Sequence, residues 1–173
     1  MSDSEADLRR RVPSLKIEFG ERLQIPEVIA PDVERSNAGE WLTAPNMAKR
    51  AGILRSFIKQ NSALFGLDEQ QIDALKTTAD YANPDGNLSF AHLAQEINGL
   101  RVFQGEVKAG FTKRGEIIRV INNLAPALDY RNLSAEAETS AEQAVGEAAK
   151  YIGVQITEND TKRIDLASND KKI

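Results

Sequence analysis

The 173-residue sequence contains no cysteine, a single histidine and a single tryptophan. The missing thiols exclude disulfide bridges, thiolate-bound zinc and cysteine nucleophiles. One imidazole, His92, cannot build the paired-histidine face of an H-E-x-x-H zinc peptidase. It sits between Ala91 and Leu93 and reads as a strand residue rather than a ligand. Long apolar runs are also missing, so no segment reaches the roughly 20 residues that a membrane-crossing helix needs. The N-terminal MSDSEADLRRR lacks an apolar signal core, so an export signal is expected to be absent or already removed.

Basic charge is scarce as well. The net charge of −4 argues against a partner that is tracked through its phosphates, and no nucleic-acid partner is expected. The one basic run, Arg9-Arg10-Arg11, lies beside Asp3, Glu5 and Asp7 and reads as a solvated terminal segment. No P-loop or G-x-G-x-x-G occurs, so no nucleotide cradle is indicated. Ser56-Phe57-Ile58-Lys59 has S-x-x-K spacing, but its K-T-G companion is missing because Lys76 leads into Thr77-Thr78. These gaps point away from an enzyme, and no cofactor or metal is expected.

What remains is a chain able to fold: 41% of its residues are hydrophobic and 28% charged, enough to bury a core. Residues 1–45 are polar and interrupted by Pro13, Pro26, Pro31 and Pro45, which predicts an extended arm. Within it, LKIEF alternates as a half-buried strand, and the proline-rich GERLQIPEVIAPD suits an edge or a surface crossing. Met47, Ala51, Leu54 and Ile58 then form one apolar stripe, widened by Ile53 and Phe57, on a helix started near Thr43–Asn46 and stopped at Gly66. Asn61-Ser62 predicts a kink or restart in that helix. Asp68 and Gln71 have capping-box spacing for a second helix with Ile72 and Leu75 buried.

After the turn sequence NPDG at 83–86, three apolar-rich runs predict antiparallel strands near 88–97, 100–112 and 116–124. Asn98-Gly99 is the favoured pair for a two-residue hairpin with positive φ at both positions, and Lys113-Arg114-Gly115 reads as a second hairpin. Leu100 and Val102 have one parity, whereas Val107, Ala109 and Phe111 have the other. One extra residue near Gln104-Gly105, a β-bulge, would return both sets to one face. Further on, Ser140 and Gln143 cap a helix to about residue 152, with Ala141, Ala144, Val145, Ala148 and Ile152 on one face and Gly153 as its stop. A short strand-like piece and a polar end follow.

The segment QEINGLRVFQGEVKAGFTKRGEIIRVINNL resembles the core of the fungalysin/thermolysin propeptide domain. The matching positions are Gln95, Asn98, Gly99, Val102, Phe103, Gly105, Gly115 and Val120. Upstream, Asn61, Leu64, Phe65, Gly66 and Leu67 are similar to the helix that precedes this core, and the helix at 140–152 is similar to the opening of a PepSY module. Two departures stand out: Gln104 replaces the first glycine of a Gly-Gly step, and the first strand reads Phe90-Ala91-His92-Leu93-Ala94.

The resemblance implies an α+β fold, a cystatin-like antiparallel meander packed on a helix behind a proline-rich N-terminal arm. Its divisions would be an arm at 1–45, a helix-plus-meander domain at 46–126, and a linker with the start of a PepSY-like unit at 127–173. It implies the non-catalytic proregion of a secreted zinc metallopeptidase, acting in cis on its cognate catalytic domain as intramolecular chaperone and inhibitor. Because a bulge re-aims side chains outward and arginine and aromatic residues are common interface anchors, Gln95, Arg101, Phe103 and Gln104 are expected to face the protease, with a core position as the equal alternative for Phe103. The alternative is a free-standing binding or adhesion module of a secreted or cell-surface protein.

Overall fold

The computed structural model describes residues 3–21, 24–35, 39–133, 136, 139–156 and 160. In chain order its elements are helix α1 (Asp3–Arg11), strands β1 (Leu15–Phe19) and β2 (Pro26–Pro31), and helices α2 (Arg50–Gln60), α3 (Ser62–Phe65) and α4 (Glu69–Ala74). Strands β3 (Lys76–Ala82), β4 (Ser89–Ile97), β5 (Leu100–Phe111) and β6 (Ile117–Asn122) follow, and then helix α5 (Ala141–Tyr151). The strands form one antiparallel sheet in the order β1-β2-β6-β5-β4-β3. The chain is therefore α+β, and it divides into two units, 1–130 and 131–173.

In the first unit α2 buries Ala51, Ile53, Leu54, Phe57 and Ile58, the face that its apolar spacing requires. These side chains share one core with Leu93, Val107, Phe111, Ile117 and Val120 from the sheet. The helix starts later than expected. Asn46 Oδ1 accepts the amide of Ala48 at 2.9 Å, which forms a turn and delays the first helical residue to Arg50. Met47 consequently lies outside the stripe and is 86% exposed. The restart at Asn61-Ser62 occurs as expected: Asn61 ends α2, its buried Nδ2 donates to Phe57 O at 2.7 Å, and α3 begins at the next residue. Gly66 ends α3 with φ of 64°, and Asp68 and Gln71 close a reciprocal capping box on α4.

Residues 3–31 depart from the expected extended arm. Leu8 and Val12, four residues apart, are buried in the core, and Glu5–Arg9 at 2.9 Å supports the turn between them, so this stretch is helical. The basic run is thus part of a docked helix rather than a solvated tail. Strand β2 is not at an edge but lies between β1 and β6. Its prolines stand at the two ends, 26 and 31, so Val28 and Ile29 keep the amides that the ladder to β6 uses. Strand β3 extends the sheet where no strand was expected, because KTTADYA has almost no buried position to reveal it.

Both hairpin turns form as their glycines require. Asn98 and Gly99 have φ of 50° and 83° between paired Ile97 and Leu100. Gly115 has φ of 77°, and its amide donates to Thr112 O at 3.0 Å. It is also pressed against the segment before α2: Leu42 N donates to Ile117 O and Asn46 N to Arg114 O, both at 2.9 Å. In the second unit, Ser140 and Gln143 form the predicted capping box. The helix ends with Gly153 N on Lys150 O and Val154 N on Ala149 O, with Gly153 at φ of 76°. Its expected apolar face, Ala141, Ala144, Val145, Ala148 and Ile152, is exposed, and the strand-like piece expected after it falls largely outside the described residues.

Two glycine substitutions separate backbone strain from steric exclusion. A Cβ at Gly99 would meet open space, whereas one at Gly115 would overlap the carbonyl oxygen of Asn46. Gly99→Ala should therefore cost about 1 kcal/mol, from the positive φ alone. Gly115→Ala should cost about 3 kcal/mol or more, because it also lifts the 42–46 segment. Thermal unfolding should fall by roughly 3 °C and roughly 10 °C respectively. Equal falls would contradict the tight docking of Asn46.

Candidate functional site

The end of the β4–β5 hairpin departs most from regular sheet geometry. Ala94 pairs with Glu106 and Glu96 with Arg101, so residues 102–105 of β5 bulge out opposite the single residue Gln95. A bulge was expected here, but with one extra residue rather than three. Its purpose also differs: Leu100 is 53% exposed and Val102 half-buried, so neither joins Val107, Ala109 and Phe111 in the core. Val102 instead folds back onto Gly105, whose missing side chain makes the space. A Cβ there would lie 2.8 Å from Val102 Cβ and 3.2 Å from Gln95 Oε1. The backbone turns at Gln104, with φ of 56°.

Gln95 was expected at a protein-facing surface, but it is fully buried. Alternation along β4 explains this: Ala91, Leu93 and Gln95 share the inward parity. Its carboxamide is consumed by internal bonds. Nε2 donates to Ala125 O at 3.0 Å and to Tyr130 Oη at 2.8 Å, while Oε1 accepts the amide of Ala125 at 2.8 Å. Tyr130 in turn offers its carbonyl to Asn98 Nδ2 at 3.2 Å. Burial pushes the Tyr130 hydroxyl above its ordinary pKa, so at neutral pH it stays protonated beside Gln95. Sequence reading gave no role to Tyr130; its only signal was a tyrosine a few residues past Pro126.

The other three residues expected to face a partner do reach the surface. Phe103 is 89% exposed, which excludes a core role for it. Arg101 and Gln104 are exposed beside it, with Arg101 3.9 Å from Glu106 and Glu106 2.5 Å from Lys108. Of the motif positions, Gln95, Asn98, Gly99, Val102 and Gly105 meet at this hairpin end. Gly115 lies instead at the far turn, and Val120 is a core residue paired with Ile29 and Ala109.

The hairpin end is hydrogen-bonded scaffolding around an exposed aromatic ring. His92 lies on the outer sheet face with its ring edge-on to Tyr81, centroids 5.9 Å apart. Burial first, and then Lys108, lower its pKa and favour the neutral imidazole. Among the described residues no group of three histidines or carboxylates is placed to hold a metal ion.

Replacing Gln95 tests the brace. Gln95→Leu strands the amide and carbonyl of Ala125 and should cost about 2–4 kcal/mol. Gln95→Glu keeps shape and acceptor, but an ionised carboxylate cannot donate to Ala125 O or Tyr130 Oη. Burial would raise its folded-state pKa above the ~4.3 of an unfolded chain, so the folded state holds the extra proton between those values. Stability is then lost as pH rises through the folded value and regained on acidification. The melting temperature of Gln95→Glu, measured against wild type, should rise from pH 7 to pH 5; an unchanged difference would show that the donor bonds carry no weight.

No protein-family model matches the chain, and a comparison with curated proteins finds no match either.

Proposed function

We propose that this chain is the non-catalytic proregion of a secreted, fungalysin-like zinc metallopeptidase, and that it assists the folding of its cognate catalytic domain in cis and holds it inactive. The observation that carries the reading is the exposed Phe103 on a hairpin end braced by the residues that bear the family resemblance. Aromatic anchors beside arginine are common centres of protein interfaces, and here Phe103 stands next to Arg101 with half-exposed Leu100 close by. The brace keeps residues 101–104 in one conformation before binding, which lowers the ordering cost of association.

In this reading Phe103 fills an apolar depression on the catalytic domain, with Arg101 and Gln104 donating hydrogen bonds around it. Gln95 acts from below as a positioning residue. Covalent linkage supplies a high effective concentration, so one small anchor with a polar rim suffices until the linker is cut. A cystatin-like wrapping of the sheet around α2, and the PepSY-like character of the helix after residue 140, belong to the same proposal.

The test uses the H-E-x-x-H domain that this reading places in the same reading frame. Added in trans, the chain should slow peptide cleavage by that domain and raise its refolding yield. Phe103→Ala should weaken inhibition by about 10- to 100-fold. Its melting temperature should stay near wild type, because the ring is exposed. Arg101→Ala with Gln104→Ala should weaken inhibition further. A chain that neither inhibits nor assists refolding at roughly micromolar concentration, the affinity range of a modest interface, would overturn the reading.

A further inference from the structure

The outer face of the sheet carries a groove of about 520 Å³ that sequence spacing does not reveal. It opens because β2 and β6 pair at only two positions, Val28–Ile121 and Ile29–Val120, and then diverge. The segment before α2 enters the gap. Leu42 N donates to Ile117 O, and Thr43 Oγ1 accepts Ile117 N, both at 2.9 Å. The two neighbours at this point part company: Leu42 is 1% exposed in the core, while Trp41 lines the groove with Val28, Ala30 and Ile118. The chain's only tryptophan therefore stands half-exposed beside an apolar strip rather than filling the interior.

Charged side chains of both signs ring this strip, with one more acid than base. Lys16 and Arg119 face Glu18, Asp32 and Glu34, and Lys16 is 2.9 Å from Glu18. The Lys16 ammonium, and after it Arg119, hold Glu18 below the usual carboxylate range, so it remains an ionised acceptor. The Arg119 backbone pairs with Gly110 in the ladder to β5, while its guanidinium makes no hydrogen bond to another described residue and keeps its donors available.

We infer that this groove binds an uncharged carbohydrate, with a sugar ring stacked on Trp41 and hydroxyls met by Arg119 and Glu34. Size, charge and sheet geometry each narrow the ligand. The volume falls in the range of small-molecule sites. Interleaved charges would repel part of any strongly anionic or cationic ligand, but they offer both donors and acceptors to hydroxyl groups. Strand amides and carbonyls lie in the plane of the sheet, so a ligand resting on its outer face meets chiefly side chains. An extended peptide gains its affinity from main-chain pairing, which this face does not provide. A pyranose needs only an amphipathic ring face and side-chain partners, and an indole with flanking charges supplies both. The inference does not depend on the proregion reading, since it uses neither Phe103 nor a catalytic domain.

Because Trp41 is the sole tryptophan, its emission reports the site directly. Titration with three uncharged hexasaccharides, of cellulose, chitin and starch type, should give a saturable change with at least one, at a Kd of roughly 0.1–1 mM. Arg119→Ala should weaken that binding about 10-fold. Its melting temperature should stay near wild type. Trp41→Phe, read by calorimetry, should weaken binding by at least a similar factor. The inference is overturned if no hexasaccharide changes the emission at about 10 mM, well above the expected Kd. It is equally overturned if Arg119→Ala titrates like wild type, or if only a mixed-charge hexapeptide gives the saturable change.

Discussion

The end of the β4–β5 hairpin depends on one buried carboxamide. A carboxamide has two donors and an acceptor oxygen, which is what an irregular strand segment needs when its ladder is interrupted. Gln95 uses both donors and its oxygen on residues 125 and 130, and so ties the strand that faces the bulge to the chain that leaves β6. That leaving segment is itself pinned to the helices: Ala127 N donates to Gly66 O at 2.9 Å, and Gln71 Nε2 to Leu128 O at 2.7 Å. Gly66 has no side chain at this crossing, where a Cβ would fall 2.7 Å from Pro126 Cβ. A single polar path thus runs from the hairpin end to the N-terminus of α4.

The opposite end of the sheet is organised by the same logic with different residues. Residues 42–46 have no regular structure, yet they bond to β6 and its turn through Leu42, Thr43 and Asn46. In both places an irregular strap lies against a glycine; the 42–46 strap completes backbone hydrogen bonds that β6 leaves open, and the 125–130 strap is held by the side chains of Gln95, Asn98 and Gln71. The two straps also define the two surfaces of interest. One holds Phe103 outward from the hairpin, and the other places Trp41 in the groove between diverging strands.

Local chemistry was readable in the sequence, and long-range placement was not. Asn98-Gly99, Gly115, the Asp68–Gln71 and Ser140–Gln143 boxes and the break at Asn61 each involve partners within a few residues, so spacing alone identifies them. Helix α1 was missed because two buried residues, Leu8 and Val12, make too narrow a stripe among charges. Strand β3 was missed because an edge strand with little burial shows no alternation. Exposure of Arg101 and Gln104 followed from expecting a bulge, whereas Phe103 was equally readable as core; the true width of the bulge and the burial of Gln95 depend on Ala125 and Tyr130, about 30 positions away. The groove gathers residues from 16 to 119 and has no local signature.

The pairing of Val28 with Ile121 has a consequence for the order of events during synthesis. The β1–β2 hairpin leaves the ribosome well before β6, the strand that accepts it. Until β6 emerges, Val28 and Ile29 present an uncovered sheet edge, and Leu8, Val12 and Ile29 have only part of their core. Such late, distant closures slow folding and leave an interval in which edges and apolar groups can find wrong partners. The β1–β2 hairpin must therefore wait, and the prolines at both ends of β2 shorten the edge that it exposes while it does so.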